Sequence, residues 1–381
     1  MKISAINVYK LLLPLKFPIA HSRKNATAVD NIVVEIVANE NGLNGYGEGA
    51  PRHYVTGESQ DTASQDIRSL CLDERFPWNL THVDQIWHFG RSVTTDKSQN
   101  AALCALEMAL LDVLARRQGH NILHYLPREY LAGEVSYGGT IPIADLDMVN
   151  KICEMLRLFD IREVRVKLGT DFDHSKVTLE TVRNALGAEC DLRVDVNGAW
   201  DLDNAKRHLP ILVSNKVHIL EQPLMPHDNS LQELADILKG TGLKLMADES
   251  VCSMKDLEYA IAEGYFDVVN VRLSKCGGFL NSLNIIQGVR ASGLKYQVGC
   301  QLGESGILSA AGRALCLISS DALYCDGSYD ALVLEENLTT RHVTFGQGGK
   351  AGPLEGPGFG FTVNPDSLNH FSDVAISIDR P

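Results

Sequence analysis

The sequence feature that most limits the fold of this chain is a series of short apolar segments, each ending in charged residues and leading into a helix-like segment. Four such ends lie between Val164 and Ser250: RVK at 165–167, DVNGAW at 195–200, EQP at 221–223 and ADES at 247–250. Strands that alternate with helices form parallel sheets, and barrels built this way carry their chemistry at the carboxyl ends of the strands. The series therefore predicts that these charged groups meet at one end of a barrel.

The alternation of strand and helix extends on both sides of these four groups. Strands are predicted at 137–142, 164–168, 192–197, 218–223, 243–249, 268–274, 296–302 and 323–328, with helical spacing between them, for instance over 145–159 and 175–186. Eight strands with seven intervening helices indicate an α/β fold of the TIM-barrel type. Because 381 residues exceed the usual length of one domain, a smaller second domain is expected beside the barrel.

The first part of the chain has a different texture and is predicted to form that second domain. Antiparallel strands are expected within 2–15 and 29–50, and helices over 60–70, 81–90 and 99–118. The segments Phe17–Thr27 and Gly49–Ser59 are expected to be loops, either plain connections or loops that fold over the barrel mouth and touch the substrate. We divide the chain into an α+β capping domain, 1–130, completed by about 332–381, and a barrel domain, 131–331.

Composition narrows the class of partner and the compartment. The formal charge of −13 gives no basic surface for nucleic acid or anionic membranes. No apolar run of membrane-spanning length and no cleavable leader are recognised, so a cytoplasmic protein is expected. The nine cysteines form no CxxC pair, which argues against a cysteine zinc site and favours small buried side chains. An activated Cys300 or Cys325 stays open as an alternative.

Strand parity sorts the charged residues by the face on which they lie, because successive side chains of a strand point to opposite faces. The residues assigned to the barrel interior are Arg165, Lys167, Arg193, Asp195, Asn197, Met246, Asp248, Asn270, Arg272, Ser274, Gln297, Gly299 and Gln301. Lys275 has the outward parity or lies past its strand. Buried charges are costly unless they are paired or bind a metal, so the inward charges form either a structural salt-bridge layer or a site. Three acids at matching strand ends beside an inward lysine favour a site.

Three carboxylates carry the metal hypothesis. Asp195, Glu221 and Asp248 are separated by 26 and 27 residues (221−195, 248−221), about one strand and one helix each. Oxygen ligands without histidine or cysteine suit a hard cation such as Mg²⁺, with Mn²⁺ as the alternative. Such a cation stabilises the charge that develops when a proton leaves the carbon next to a substrate carboxylate. The expected partner is accordingly a small-molecule carboxylate.

Lys167 is the predicted general base. An amine must be neutral to accept a proton, and a free lysine titrates at about pH 10.4, so neighbouring positive charge or burial is needed near neutral pH. Arg165 lies two residues earlier on the same face and supplies positive charge, as would the metal. Proton abstraction by Lys167 is therefore the predicted first step.

The ordered motifs of the chain resemble those of the enolase superfamily. The resemblance rests on RVK, DVNGAW, EQPL, ADES and VRLSKCGG in the barrel, and on GYGEGAP (45–51) and ALCALEMALLDVLARRQG (102–119) before it. It implies an α+β capping domain over a modified (β/α)₇β barrel, Mg²⁺ bound by Asp195, Glu221 and Asp248, and removal of an α-proton to give an enolate. It also implies weaker contacts to the metal site from Asn197 and Glu249, and a homo-oligomer.

Within the superfamily the chain resembles the muconate lactonizing enzyme and dipeptide epimerase branch of the mandelate racemase/muconate lactonizing enzyme family. The segment YQVGCQLGES lacks the seventh-strand histidine of mandelate-racemase-like members. The branch usually has KxK on the second strand and a second catalytic lysine in KxxKxGG on the sixth, where this chain has Arg165 and Arg272. Both departures bear on the reaction.

The arginine at position 272 leaves three hypotheses for the reaction. Arginine is a poor base, so we expect Lys167 as the main base, Arg272 as an electrostatic group, and elimination, dehydration or cycloisomerisation. The alternative is a two-base racemase or epimerase of an amino-acid derivative or dipeptide. A further alternative is a binding homologue without catalysis.

Candidate substrate contacts lie in loops and at strand ends: His21, Arg52, Tyr54, Gln301, Glu304 and Asp326. The alternative for each is an ordinary polar loop residue. Asp326 and Asp330 are expected to favour a cationic or amino-bearing group on the substrate. A phosphate-binding barrel, with an anion at the helix that begins at Gly277–Gly278, is an outside alternative.

Overall fold

The computed structural model describes residues 1–21, 24–40, 42–93 and 96–380. Its first part is a sheet of long antiparallel strands followed by helices. The bounds are β1 (Ile3–His21), β2 (Lys24–Ala38), β3 (Asn44–Gly49), α1 (Gln60–Leu72), α2 (Val83–Ser92) and α3 (Asn100–Gln118). The predicted helices are therefore present with ends shifted by at most two residues, since Ser59 and His82 cap α1 and α2.

The prediction that Phe17–Thr27 is a loop is wrong. Strands β1 and β2 extend through this segment and pair again at Ile19↔Ala26, after an irregularity that follows Pro14. Pro14 and Pro18 interrupt the alternation that marks a strand in the sequence, which hid the extension. The side chain predicted at His21 lies outside the described residues.

Helix α3 is packed against β3 at close range. A Cβ added at Gly47 would lie 2.1 Å from the carbonyl oxygen of Ala105, so only glycine allows this approach. Every residue of α3 from Asn100 to Ala115 is buried, which explains why the helix is apolar on all sides. The segment Lys97–Gln118 is long and apolar enough to cross a membrane, contrary to our expectation, but 89% of its apolar window is buried inside the protein.

The middle of the chain alternates strands and helices. Its elements are β4 (Val135–Ser136), β5 (Gly139–Ile141), α4 (Leu146–Leu158), β6 (Glu163–Lys167), α5 (Phe172–Leu186), β7 (Asp191–Asp195), α6 (Leu202–Ser214), β8 (Val217–Glu221), α7 (Leu231–Leu238), β9 (Lys244–Ala247), α8 (Met254–Glu263), β10 (Val268–Val271), α9 (Leu273–Cys276), α10 (Gly278–Ser292), β11 (Lys295–Val298) and α11 (Gly306–Leu317). Asp145, Asp171, Asp201, Ser253 and Ser305 cap α4, α5, α6, α8 and α11. These caps fix where each helix leaves the barrel.

Strands β5 to β11 form one parallel sheet in sequence order. The predicted eighth strand is shorter than expected, an isolated bridge between Val298 and Cys325. On its other side the carbonyl of Cys325 accepts a hydrogen bond of 2.9 Å from the backbone N–H of Gly138, immediately before β5. The sheet thus closes into the predicted TIM-type barrel, with a capping domain beside it.

The end of the chain returns to the capping sheet. It contains α12 (Asp330–Val333), β12 (Lys350–Ala351), α13 (Pro365–Phe371) and β13 (Ser372–Asp379). Strand β12 pairs with β4, and β13 pairs with β1, so the capping sheet has the order β13-β1-β2-β3. The boundaries of the two domains, at 131 and about 332, stay a prediction.

Candidate active site

The carboxyl ends of β6 to β9 bring the predicted charged residues together. Strand register places Lys167 beside Asp195, and Asp195 beside Glu221. Glu221 pairs with Met246, so Asp248 follows two residues later and faces the same side. Asp195, Glu221 and Asp248 are all fully buried. Asp195, Glu221 and Asp248, which are one strand and one helix apart in sequence, therefore lie side by side at the carboxyl ends of neighbouring strands.

Two arginines link the three carboxylates. Arg165 Nη1 lies 3.9 Å from Asp195 Oδ2 and 3.4 Å from Glu221 Oε2. Arg272 Nη2 lies 3.4 Å from Glu221 Oε1 and donates to Asp248 Oδ2. Asn270 Nδ2 donates to Glu221 Oε1 over 2.6 Å. Arg165 thus lies between Asp195 and Glu221, and Arg272 lies between Glu221 and Asp248.

Buried like charges perturb this cluster. Burial raises the pKa of Glu221, and the negative charges of Asp195 and Asp248 raise it further. Burial also raises the pKa of Glu249 to about 8, helped by Asp248 and Asp195. For Asp195 burial acts in the same direction, but Lys167 and Arg165 outweigh it and lower the pKa to about 2. Burial and like charge therefore hold the pKa of Glu221 and Glu249 up, whereas the cations beside Asp195 hold its pKa down.

The donor set fits a hard divalent cation. In the described part of the chain no three such side chains are already arranged to hold a metal, because Arg165 and Arg272 lie between the carboxylates. Glu249 Oε2 is nevertheless buried without a hydrogen-bond partner, and Asp248 Oδ1 has no hydrogen bond but an ion-pair contact with Lys275 Nζ at 3.1 Å. Three buried carboxylates close to one another, and a buried carboxylate oxygen without a donor, are features that an oxygen-ligated cation satisfies.

Lys167 lies at the edge of this cluster and faces open space. Its Nζ donates to Asp195 Oδ2 over 2.8 Å and to Asn197 Oδ1 over 2.7 Å. The side chain is 17% exposed and lines a cavity beside this cluster. Asn197, with a φ of +50°, also donates to Glu249 Oε1 over 3.1 Å. Asn197 thus connects the lysine to Glu249.

Lys275 contacts the cluster although the sequence did not indicate it. Strand β10 ends at Val271, and the one-turn helix α9 that follows turns Lys275 back toward the barrel. Its fully buried Nζ donates to the carbonyls of Asp248 and Asn270 over 2.7 and 2.6 Å, and lies 3.1 Å from Asp248 Oδ1. Parity stops applying where the strand ends, so the sequence placed this residue past the strand but not against Asp248.

Part of the inward charge is structural, as the salt-bridge alternative supposed. Arg193 is fully buried and pairs with both oxygens of Asp326 at 2.8 and 3.1 Å. Asp326 also lies 3.5 Å from Arg165 Nε. Asp330 accepts from Asn337, Val343 and Thr344. The expectation that Asp326 and Asp330 favour a cationic substrate is not supported, because both acids are buried and already paired.

A cavity of about 380 Å³ adjoins this cluster; it is lined by the cationic side chains that contact the three carboxylates and not by the carboxylates themselves. The predicted site residues that line it are Tyr54, Arg165, Lys167, Asn197, Arg272, Gln301 and Glu304. Arg52 is placed elsewhere: it donates to the carbonyls of Asp30 and Leu302 and to Asn31 Oδ1. Arg52 therefore joins the capping domain to the barrel. Cys300 also lines the cavity, but burial raises the pKa of its thiol, which argues against an activated nucleophile.

The amino end of α10 is already occupied by an acid of the protein. The carboxylate of Glu107, on α3, accepts from the backbone N–H of Phe279 and, at 3.3 and 3.4 Å, from that of Leu280. A Cβ added at Gly278 would lie 2.5 Å from Glu107 Oε1. The phosphate-binding alternative fails here, because the carboxyl group of Glu107, from the capping domain, already accepts from the N–H groups at this helix end.

Comparisons with known proteins agree with this geometry. A family model described as "Enolase C-terminal domain-like" matches residues 147–367. A second one, described as "Mandelate racemase / muconate lactonizing enzyme, N-terminal domain", matches residues 4–126. Together the two models span most of the barrel and of the capping domain.

Individual relatives are isomerases. The N-succinyl-L-Arg/Lys racemase of Bacillus cereus is 27% identical over 82% of this chain and 83% of its own length. A hydrophobic dipeptide epimerase of Roseobacter litoralis is 30% identical over 83% of this chain and 87% of its own length. The crystal structure of a dipeptide epimerase from Cytophaga hutchinsonii, complexed with Mg and the dipeptide D-Ala-L-Val, is 25% identical, covers both chains completely and superposes with a TM-score of 0.83.

Proposed function

Because this chain belongs to the mandelate racemase/muconate lactonizing enzyme family of the enolase superfamily, we propose that it is a racemase or epimerase of an amino-acid derivative. The proposed reaction removes the α-proton of a carboxylate substrate and returns a proton from the other side. The supporting relatives are a racemase and epimerases of amino-acid derivatives. This reverses the order of our sequence hypotheses, in which a one-base reaction came first.

One geometric observation carries the proposal. Lys167, at the end of β6, and Arg272, after β10, both line the same cavity. Strands β6 and β10 are four positions apart in a barrel of eight segments, so they lie on opposite sides of it. Asp195, Glu221 and Asp248 end or follow the strands between them. A substrate carbon above the carboxylates would therefore have one cationic side chain on each side.

The proposed metal ligands are Asp195, Glu221 and Asp248, and the proposed metal is Mg²⁺. A divalent cation held there would bind the substrate carboxylate and stabilise the negative charge that the departing α-proton leaves behind. Lys167 is proposed to take the proton at Nζ as the neutral amine, a form that a cation bound at Asp195 would favour by ending the ion pair between the two side chains. Asn197, 2.7 Å away, would keep the amine in place. Glu249 is proposed to stay outside the ligand set, held by Asn197.

Arg272, the side chain opposite Lys167, stands where the related branch usually has a second catalytic lysine. Burial alone would lower its pKa, but Asp248 and Glu221 outweigh that effect and raise it. Arginine in such a setting holds its proton strongly. We propose that Arg272 delivers a proton, or orients a water that does, after substrate binding has drawn its guanidinium away from Asp248.

The test measures, by NMR or mass spectrometry, how fast the L and the D epimer of an amino-acid derivative exchange their α-protons in D₂O with Mg²⁺ present. A two-sided site should exchange the α-proton of the L and the D epimer and interconvert them. Lys167→Ala should slow α-proton exchange of one epimer at least about 1000-fold, as expected for loss of a general base. Arg272→Met should act mainly on the other epimer, and Arg272→Lys should restore it. Exchange at the wild-type rate in Lys167→Ala would refute the assignment of the base.

The second candidate is the one-base reaction, which Arg272 favours. If only one epimer exchanges, and if Arg272→Lys leaves that rate unchanged, elimination, dehydration or cycloisomerisation with Lys167 as the base becomes the better description. A binding homologue would exchange neither epimer while still binding carboxylates. The single measurement thus separates all three possibilities.

A further inference from the structure

The cavity is lined by two chemically different sets of side chains. Three cationic side chains, Arg165, Lys167 and Arg272, contact the buried carboxylates. Most of the other lining side chains are apolar, and the largest group of them comes from α4. An occupant of this cavity must match both sets.

One face of α4 runs along the cavity. Met148, Ile152, Met155 and Phe159 repeat at intervals of four, three and four residues, which keeps them on one side of a helix. Leu158, on the same helix, is 71% exposed and lies outside the cavity lining. The apolar face of α4 therefore lines the cavity in addition to packing against the barrel.

The opposite wall comes from distant parts of the chain. Phe17 and Ile19 reach it because β1 and β2 extend past the expected end of the hairpin. Leu332 and Phe345 reach it from the carboxyl-terminal segment. Three independent elements thus supply apolar groups at the same place, which a chance gap between two elements would not do.

Acidic groups that would hold a cationic substituent are scarce here. Among the described residues that line the cavity, Glu304 is the one acid. It is 8% exposed and accepts a hydrogen bond of 2.6 Å from the backbone N–H of Gln301, and burial raises its pKa to about 8. Lys151, also on the lining, adds positive charge on the α4 side. An ammonium or guanidinium group placed against α4 would be desolvated and would lie near like charge.

We propose that the substrate of this site is an N-acyl amino acid or related derivative whose side chain is apolar and uncharged, and that this side chain lies against the cavity face of α4. Its carboxylate lies at the proposed metal site, and its α-carbon lies between Lys167 and Arg272. The proposal rests on the proposed function and narrows it. Of the two kinds of substrate in the names of the relatives, it sides with the hydrophobic one and against the arginine and lysine derivatives.

A matched pair of ligands tests the proposal directly. N-acetyl-L-2-aminoheptanoate and Nα-acetyl-L-lysine have side chains of equal length that end in a methyl and an ammonium group. Calorimetric titration of the full-length protein with each ligand, with Mg²⁺ present, should give a dissociation constant at least about tenfold smaller for the aminoheptanoate derivative. Binding that is equal, stronger for the lysine derivative, or absent for both would overturn the proposal.

Two variants of α4 sharpen the result. Met155→Glu adds an acid on the cavity face and should reduce the preference for the apolar ligand by at least about tenfold. Leu158→Glu makes the same change on the solvent face and should leave the preference as it is. An unchanged preference in Met155→Glu would overturn the placement of the side chain against α4. If Glu304→Gln abolished binding of the lysine derivative, Glu304 would be its partner and the proposal would also fall.

The same ligands keep the two proposals separable. Binding decides the nature of the side chain, and α-proton exchange of the bound ligand decides the reaction. A tenfold binding preference without exchange of either ligand would leave the side-chain assignment standing and overturn the proposed racemase or epimerase activity. If both ligands bound with equal affinity and exchanged their α-protons at equal rates, the proposed activity would stand and the side-chain assignment would be overturned.

Discussion

At the scale of single residues, strand geometry decides the face on which each charged side chain of this site lies, because successive side chains point to opposite faces. Parity placed Arg165, Lys167 and Asp195 on the inner face, and their contacts with one another and with Glu221 and Asp326 agree. It failed four residues after β10, where Lys275 turns back to Asp248. The reason is physical: alternation is a property of extended backbone, and α9 replaces it with a helical turn whose direction depends on tertiary packing.

Lys275 gives the first prediction at this scale. Replacing it with methionine takes the side-chain donor from two buried carbonyls, of which that of Asp248 still accepts from the N–H of Val251, and removes a cation from Asp248. Lys275→Met should therefore lower the free energy of unfolding by about 3–5 kcal/mol. Urea unfolding monitored by circular dichroism measures this. Lys295→Met, at an exposed position of β11, should change stability by less than about 0.5 kcal/mol. Equal effects of the two changes would mean that the buried contacts of Lys275 contribute nothing specific.

At the scale of elements, helix starts were predicted more closely than the outer ends of the first hairpin. Helix α4 follows its cap Asp145, where 145–159 was predicted, whereas α5 begins at Phe172, three residues before the predicted start at 175. The outer ends of β1 and β2 depend on pairing between strands, and Pro14 and Pro18 obscured it. That error mattered for function, because the extension carries Phe17 to the cavity.

The contact between α3 and α10 gives a prediction of pH dependence. Burial raises the pKa of Glu107 from its usual 4.5 to about 8, although Phe279 and Leu280 donate to its carboxylate. An acid whose pKa is higher in the folded than in the unfolded protein takes up a proton on folding between these values, so its contribution to stability falls as pH rises from about 5 to 8. Glu107→Gln imitates the protonated form and should remove this part of the slope.

Differential scanning calorimetry at pH 5 and pH 8 measures the effect. The Tm of Glu107→Gln relative to the wild type should be near zero at pH 5 and should rise by about 2–4 °C at pH 8. Glu258→Gln, at an exposed position of α8, should show no such change between the two pH values. A Glu107→Gln protein that loses stability equally at both pH values would show that the carboxylate stays ionised and acts as a helix cap.

At the scale of the whole molecule, the capping domain and the barrel share one loop. The segment 301–306 after β11 contains Gln301 and Glu304, which line the cavity. It is held from the capping domain by Asn31, whose Nδ2 donates to the carbonyl of Gly303 over 2.9 Å, and by Glu48, which accepts from Ser305 and Leu308. The motifs predicted both domains, but these contacts join residues more than 250 positions apart and have no local signal in the sequence.

Arg52 shows how the two domains act as one site. Its guanidinium donates to Leu302 O over 2.7 Å and to Asn31 Oδ1 over 2.8 Å, so it fixes the loop and the residue that holds the loop. Arg52→Met removes these two bonds and those to the carbonyls of Asp30 and Pro51, and it takes a donor from the buried Asn31 Oδ1. This should lower the free energy of unfolding by about 2–3 kcal/mol. Amide hydrogen exchange in 301–306, measured by mass spectrometry, should accelerate by at least about tenfold, whereas exchange in β6 to β8 should stay at the wild-type rate. Arg68→Met, at an exposed position of α1, should alter neither region. If Arg52→Met instead accelerated exchange uniformly over the barrel, the arginine would stabilise the fold as a whole, and the loop would owe its position to the barrel alone.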